Sequence, residues 1–184
     1  MTQPIVSPFQ ASSLSGVIGL KHGFFGRQGG VSEGHYESLN CAAQADKRST
    51  PDTVANVAEN RIRACNNLGI WPGGLVTMRQ VHGNATSVIT TGPNDDKTHE
   101  PREADALVTA QSGVALGLLT ADCAPVLLVD ENAGVIGAAH AGWRGALGGI
   151  LGSVVGAMET LGAKPKNIQA VIGPAIGPGS YEVG

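Results

Sequence analysis

Aromatic residues are scarce in this chain of 184 residues, because phenylalanine, tryptophan and tyrosine together make up only 4% of it. The hydrophobic core must therefore consist mainly of aliphatic side chains. Cysteine is also rare, with Cys41, Cys65 and Cys123 as its three occurrences. This set is too sparse for a disulfide framework, and it is typical of reduced thiols in the cytoplasm. A chain of this length can bury roughly 70% of its unfolded surface, so it does not need disulfides.

Long apolar runs and an excess of basic residues are missing as well. No stretch of eighteen apolar residues occurs, so we expect no membrane-spanning helix. The first residues lack a basic region followed by a long apolar segment, so we expect no secretory signal. Lysine and arginine number 12 against 15 acidic residues, and the net charge of −3 argues against a nucleic-acid-binding surface. We therefore predict a cytoplasmic protein that binds neither membranes nor nucleic acid.

The patterns of apolar residues predict more strands than helices. A first strand is predicted over residues 17–25, and helices are predicted over residues 51–69 and 144–161. The first helix would have Ser49 or Thr50 as its N-cap. Because helices and strands do not alternate regularly, we predict an α+β fold, with a mixed or antiparallel β-sheet core and flanking helices. No repeat or linker divides the chain, so we expect residues 1–184 to form a single domain. The first helix is expected to bury one apolar face, made of Val54, Val57, Ala58, Ile62, Cys65 and Leu68.

The most informative stretch covers residues 120–145, TADCAPVLLVDENAGVIGAAHAGWRG. It holds two short apolar runs separated by turn residues, which is the pattern of a β-hairpin. In an antiparallel hairpin the start of the first strand lies beside the end of the second. Cys123 directly precedes the first run, and His140 lies near the end of the second. We therefore expect this thiol and this imidazole to be neighbours, although they are 17 positions apart.

His82 also borders a predicted strand, so it could join Cys123 and His140 at one edge of the sheet. Two histidines and one cysteine leave a fourth position open, as in catalytic zinc sites, where the metal activates water. Copper is the chemical alternative for such a set. A second alternative is a metal-free pair, in which Cys123 is the nucleophile and His140 its base. The spacing does not decide among these three, and a lone histidine such as His82 is more often structural.

Four charged residues could assist this chemistry. Asp122 stands at the same strand end and could act as general base or orient a ligand; otherwise it is a turn residue. Arg144 opens the second predicted helix, whose N-terminus would favour an anion near His140. Arg27 lies beside a glycine pair that could let backbone N–H groups approach an anion, or it is a solvated surface residue. Asp105 interrupts an apolar segment, so it needs a partner or faces a site.

Several motifs occur in order along the chain, and together they closely resemble the YfiH/DUF152 family, also called the laccase-domain or multicopper polyphenol oxidoreductase family. They are HGFFGRQGGVSEGHYESLN, RQVHGN, ADALVT, TADCAPVLLVD, AAHAGWRG and IGPAIGPGSYEVG. The resemblance implies a zinc site at His82, Cys123 and His140. It also implies a cysteine-hydrolase type of fold shared with a bacterial toxin deamidase.

The resemblance further implies a zinc-dependent enzyme that acts on purine nucleosides and phosphate. The expected activities are phosphorolysis of adenosine, inosine, guanosine and methylthioadenosine, and deamination of adenosine, by a monomer or small homo-oligomer. An older association of the family is copper-dependent oxidation of phenols. Family members often have cysteines where this chain has Ala175 and Gly179, and a threonine or serine where it has Gly26. They usually continue well past the SYEVG motif, so a shortened, non-catalytic domain is the other alternative.

Overall fold

A computed structural model describes residues 7–42, 52–92 and 103–182 of the chain. The chain divides into two compact units, Met1–Pro72 and Gly73–Gly184, and each of them is described by itself. Among the described residues, no helix is long and apolar enough to cross a membrane.

Among the described residues of the first unit, one α-helix is present, α1, which runs over Val54–Asn67. Its N-cap is Thr53, whose side-chain oxygen accepts a hydrogen bond from the backbone N–H of Asn56 at 3.0 Å. The predicted caps, Ser49 and Thr50, lie outside the described residues. The helix ends just before Gly69, which takes a φ of 64°. This left-handed conformation suits glycine after a helix.

The buried face of α1 is more polar than predicted. Val54 is 81% exposed, Ile62 is 41% exposed and Ala58 is exposed as well, so the assignment of these three to the buried apolar face was wrong. Asn60 is fully buried instead, because its side-chain amide ties the loop before α1 to the helix. It accepts from the backbone N–H of Val31 and donates to the backbone oxygen of Asn40, both at 2.8 Å.

The strand predicted over residues 17–25 does not form. Only an isolated bridge between Phe9 and Phe24 is present. Gly19 has a φ of 77°, a left-handed conformation that interrupts any extended run through this segment.

The second unit is built around a five-stranded sheet with the strand order β2-β3-β6-β5-β7. Strands β2 and β3 are parallel, and every other neighbouring pair is antiparallel. Two short strands, β1 and β4, form a separate parallel pair. The bounds are Leu75–Val76 for β1, Thr86–Ile89 for β2, Ala106–Thr109 for β3, Ala115–Leu116 for β4, Ala124–Asp130 for β5, Val135–Ala141 for β6 and Gln169–Ile172 for β7.

Two helices, rather than the one predicted over residues 144–161, follow β6. They are α2 over Trp143–Leu147 and α3 over Ile150–Thr160. The break falls at Gly148 and Gly149, and Gly149 adopts a φ of 86°. Paired glycines lower helix stability and allow this left-handed turn, which explains why the helix is interrupted there.

Helix α3 covers one face of the sheet, while a second apolar cluster lies around β1 and β3. The prediction of an α+β fold with a mixed sheet and flanking helices is therefore confirmed. The side chains that pack between α3 and the sheet are aliphatic except for one methionine, as expected for a chain poor in aromatic residues. They are Ala106, Val108, Val126, Leu128, Val135, Ala139, Ile150, Val154 and Met158.

Asp130 ends β5 and is fully buried. The backbone N–H of Lys164 holds the pKa of this carboxyl below its usual range, against the effect of burial, and the N–H groups of Ala133 and Asn132 add to the lowering. Because the pKa is lower in the folded state, the ionised carboxylate stabilises the fold above the ordinary pKa of about 4. This contribution is lost as the pH falls through the folded-state pKa.

We therefore expect Asp130→Asn to be less stable than the parent protein at pH 7. The difference should shrink as the pH is lowered below about 4, because the parent carboxylate becomes protonated there. Urea denaturation at several pH values measures this difference. A difference in the free energy of unfolding that stays constant down to the lowest pH measured would contradict the prediction.

Candidate metal centre

The hairpin of β5 and β6 brings Cys123 and His140 to the same edge of the sheet. Its register pairs Pro125 with His140 and Ala124 with Ala141. Cys123, one residue before β5, therefore lies near the end of β6. His140 is 3% exposed and Cys123 is half-buried, so the thiol can be reached from solvent and the imidazole hardly at all.

His82 reaches the same place from the loop before β2. One ligand atom from each of His82, Cys123 and His140 lies within 4.8 Å of the other two. The two imidazole rings meet edge to face, with their centroids 4.8 Å apart. In the part of the chain that the structure describes, this is the one group of three or more metal-ligating side chains. The three residues singled out from the sequence are thus neighbours in space.

A glycine leaves room beside these three side chains. A Cβ atom on Gly142 would lie 3.1 Å from the sulfur of Cys123 and 3.1 Å from Cδ2 of His82. Contacts of this length are tighter than normal packing, so a larger residue would crowd the donor atoms. Two nitrogen donors and one sulfur donor suit zinc, and they also suit copper. The group therefore fits a metal ion, and its donors alone do not choose between the two.

Asp105 lies behind the group and is fully buried. Its Oδ1 accepts from the backbone N–H of His82 at 2.9 Å and pairs with Nδ1 of His140 at 2.8 Å. Its Oδ2 accepts from the N–H groups of Gly83 at 2.7 Å and Val81 at 3.2 Å. Burial raises the pKa of Asp105, but the hydrogen bonds from His140 and the three N–H groups outweigh it and lower the pKa overall. The expectation that Asp105 has a partner or faces a site is therefore met on both counts.

Tyr181 is a neighbour of the group that was not predicted from the sequence. Its phenol hydrogen-bonds the Cys123 side chain and also lies near Asp122. Burial raises the pKa of Tyr181, the charge and hydrogen bond of Cys123 add to this rise, and the Trp143 backbone N–H opposes it. The tyrosine belongs to the SYEVG motif, so the motif was the available signal. The contact could not be predicted because Tyr181 and Cys123 are far apart in the sequence.

Gln80 connects the loop that carries His82 to the loop that carries Cys123 through two hydrogen bonds. Its side-chain amide donates to the backbone oxygen of Leu119 at 2.7 Å, and its side-chain oxygen accepts from the N–H of Leu119 at 2.8 Å. This reciprocal pair holds the two loops at a set distance. Glutamine in a polar loop carries no sequence signal for such a role.

The other predicted site residues, Asp122, Arg144 and Arg27, do not belong to the group of three candidate ligands. Asp122 is exposed at the mouth of β5, and its backbone oxygen accepts from Ile176 at 3.0 Å. Arg144 is exposed and stacks on the ring of Trp143, 4.8 Å from the centroid. The helix that begins there has only five residues, so its dipole is small. Arg27 belongs to the first unit, where its Nε donates to the backbone oxygen of Glu37 at 2.8 Å.

The protein thus has an α+β fold with a mixed sheet, and two imidazoles and a thiol lie together at one edge of that sheet. It is an α+β protein with a candidate metal-binding site. The family described as multi-copper polyphenol oxidoreductase laccase matches residues 21–184. The chain belongs to this family, which confirms the resemblance seen in its motifs.

Relatives and solved structures agree with this membership. The chain is 44% identical to a purine nucleoside phosphorylase of Corynebacterium glutamicum, over 87% of this chain and 62% of that protein. It is also 44% identical to a purine nucleoside phosphorylase of Deinococcus radiodurans, over 100% of this chain and 66% of that protein. The crystal structure of the Bacillus licheniformis protein YfiH superposes with a TM-score of 0.75 at 33% identity, over 86% of this chain and 60% of that one. The chain thus spans about three fifths to two thirds of the length of these relatives.

Proposed function

We propose that the protein is a zinc-dependent purine nucleoside phosphorylase that also deaminates adenosine. The observation that carries this proposal is the His82–Cys123–His140 group at the end of the central hairpin. The names of the Corynebacterium and Deinococcus relatives support the phosphorylase part. The substrates would be adenosine, inosine, guanosine or methylthioadenosine, together with phosphate.

The three side chains would hold zinc through two imidazole nitrogens and one sulfur. When bound, zinc supplies a Lewis acid that can polarise a substrate atom or lower the pKa of a water molecule. In phosphorolysis, a phosphate oxygen bonds to C1′ of the ribose and the bond from C1′ to the purine nitrogen breaks. The purine leaves with the bonding electrons and takes up a proton. In deamination, water adds at C6 and ammonia leaves.

The protein's other polar groups would bind and orient the reactants. Asp122 is exposed beside Cys123, which suits a group that takes a proton from water or from a substrate atom. Arg144 is exposed in α2, the short helix that follows β6, and its cation would attract phosphate. We also assign Arg27 to phosphate, as a second cation.

Copper-dependent oxidation of phenols is the alternative that the family's description suggests. A multicopper centre requires several groups of histidines. Residues 7–42, 52–92 and 103–182 contain one group of three candidate ligands, which would hold a single ion. Oxygen consumption with a phenol, on protein loaded with copper, would be the result that favours this alternative.

A non-catalytic domain is the remaining alternative, and a product assay tests it together with the proposal. The protein is quantified for metal and incubated with adenosine or inosine, with and without phosphate, and the products are separated by chromatography. We expect about one zinc per chain, phosphate-dependent release of free purine, and inosine from adenosine without phosphate. Folded, zinc-loaded protein that yields no product from either nucleoside would refute the enzyme and support the non-catalytic domain.

We further propose that the protein acts in the cytoplasm, as a monomer or small homo-oligomer. It would work without a membrane or a nucleic acid as partner, which is consistent with the net charge of −3. Size-exclusion chromatography with light scattering measures the oligomeric state.

A further inference from the structure

The buried carboxylate of Asp105 has four hydrogen-bond partners, which belong to two of the three candidate ligands and to the immediate neighbours of His82. One of its four hydrogen-bond partners is the His140 ring, and the other three are the backbone N–H groups of Val81, His82 and Gly83. These partners come from two segments, the loop before β2 and the end of β6. A single side chain therefore joins the two histidine-bearing segments.

The bond to His140 decides which nitrogen of its ring is free. An ionised carboxylate accepts hydrogen bonds and donates none, so Nδ1 of His140 must carry the proton in this pair. The lone pair of the neutral ring then lies on Nε2, which leaves that nitrogen as the ligand atom. A carboxylate in this position also increases the basicity of the ligand nitrogen.

The bonds to residues 81–83 act on His82 through its backbone. His82 has a φ of 61°, a left-handed conformation that costs energy for any residue with a side chain. Three successive N–H groups that converge on one anion offset this cost. They hold the backbone in the turn that directs His82 toward Cys123 and His140.

We propose that Asp105 is a positioning residue that sets two of the three metal ligands before the metal binds, His140 through its ring and His82 through its backbone. This inference rests on the metal site of the proposed function. Asp105 is not one of the three candidate ligands. Its removal should therefore weaken metal binding while the three ligand side chains remain present.

The matched control is Asp130, which is also fully buried in the second unit and also accepts three backbone N–H groups. It lies at the opposite end of β5 from Cys123, roughly 20 Å away at about 3.3 Å per strand residue. Both Asp105→Asn and Asp130→Asn replace a buried carboxylate by an amide of the same shape. A merely structural role predicts the same behaviour for the two variants.

Zinc affinity is measured by competition with a chromophoric chelator, and the site is examined by the absorption spectrum of the cobalt-loaded protein. We expect Asp105→Asn to bind zinc about 10- to 100-fold more weakly than the parent, with an altered cobalt spectrum. Asp130→Asn should keep the parent affinity and spectrum, although its thermal stability falls. If both variants bind zinc as tightly as the parent, the role of Asp105 is overturned, while the metal site itself is not. A parent protein that binds no zinc would overturn the metal site and this inference together.

A second measurement needs no variant and does not depend on the folding of Asp105→Asn. Nitrogen NMR of the histidine rings in the metal-free parent protein reports which nitrogen of His140 carries the proton. We expect the proton on Nδ1. A proton on Nε2 alone, with Nδ1 bare, would overturn the proposed orientation.

Discussion

Replacing Cys123 by alanine is expected to weaken zinc binding by more than about 100-fold and to reduce nucleoside turnover to background. The thiolate is the only anion among the three candidate ligands, and the two imidazoles that remain are neutral. Loss of a partner behind a metal ligand already costs about 10- to 100-fold in affinity, so loss of the ligand itself should cost more. Because Cys123 is half-buried at the start of a strand, the fold should survive the change.

The measurements for this prediction are chelator competition, circular dichroism and the nucleoside assay. The control is Cys65→Ala, which removes a buried thiol of α1 that belongs to no candidate metal group among the described residues. This control should lose some stability and keep its zinc. Full zinc content and full turnover in Cys123→Ala would refute the site.

Removal of zinc from the parent protein separates zinc chemistry from the metal-free alternative. If Cys123 acts as a nucleophile with His140 as its base, the parent protein should keep its activity after the zinc has been removed by a chelator. If zinc is required, activity should disappear with the metal and return when zinc is added back. Activity that persists without metal and is lost in Cys123→Ala would favour the nucleophile.

Replacing Gly145 by alanine is expected to disturb the metal site through packing alone. A Cβ at this position would lie 2.5 Å from the backbone oxygen of Gly83, a distance that requires the backbone to move. Gly83 follows His82 directly, so the displaced segment is the one that carries a candidate ligand. We expect a loss of about 1–3 kcal/mol in the free energy of unfolding, typical of overpacking. We also expect zinc affinity to fall about tenfold or more.

A second glycine provides the control for this prediction. Gly156 lies inside α3 and is exposed, and a Cβ atom added to it would have no neighbouring side chain within 4 Å. Gly156→Ala should therefore raise the free energy of unfolding by about 0.5–1 kcal/mol, because alanine is the better helix former. Denaturant unfolding and zinc titration compare the two variants. Parent-like zinc affinity and stability in Gly145→Ala would show that the close contact with Gly83 is easily relieved.

The hairpin could be predicted from the sequence because its information is local. Two aliphatic runs with a turn between them specify β5 and β6, and an antiparallel pair then places Cys123 beside the end of β6. The exact register, with Pro125 opposite His140, follows from the short connection between the strands. The ends of the other short strands in the second unit depend on neighbours that lie far away in the sequence.

Local patterns failed where glycine or a polar core residue decided the structure. The segment 17–25 has the composition of a strand, but Gly19 turns it. The apolar pattern of α1 pointed to Ile62, whereas the hydrogen bonds of Asn60 put that residue inside. The first outcome depends on the backbone conformation of one glycine, and the second on contacts with segments that periodicity does not include.

The sequence by itself determined the α+β class, the central hairpin, the family and the residue types that could hold a metal. The tertiary structure alone decided that His82, 41 positions before Cys123, lies within 4.8 Å of the other two ligands. It also decided that Asp105 holds both histidine segments and that Tyr181 contacts Cys123. The physical reason is that the hydrogen bonds and side-chain patterns that specify helices and hairpins involve residues only a few positions apart in the sequence. Contacts between distant loops depend on how the whole sheet packs.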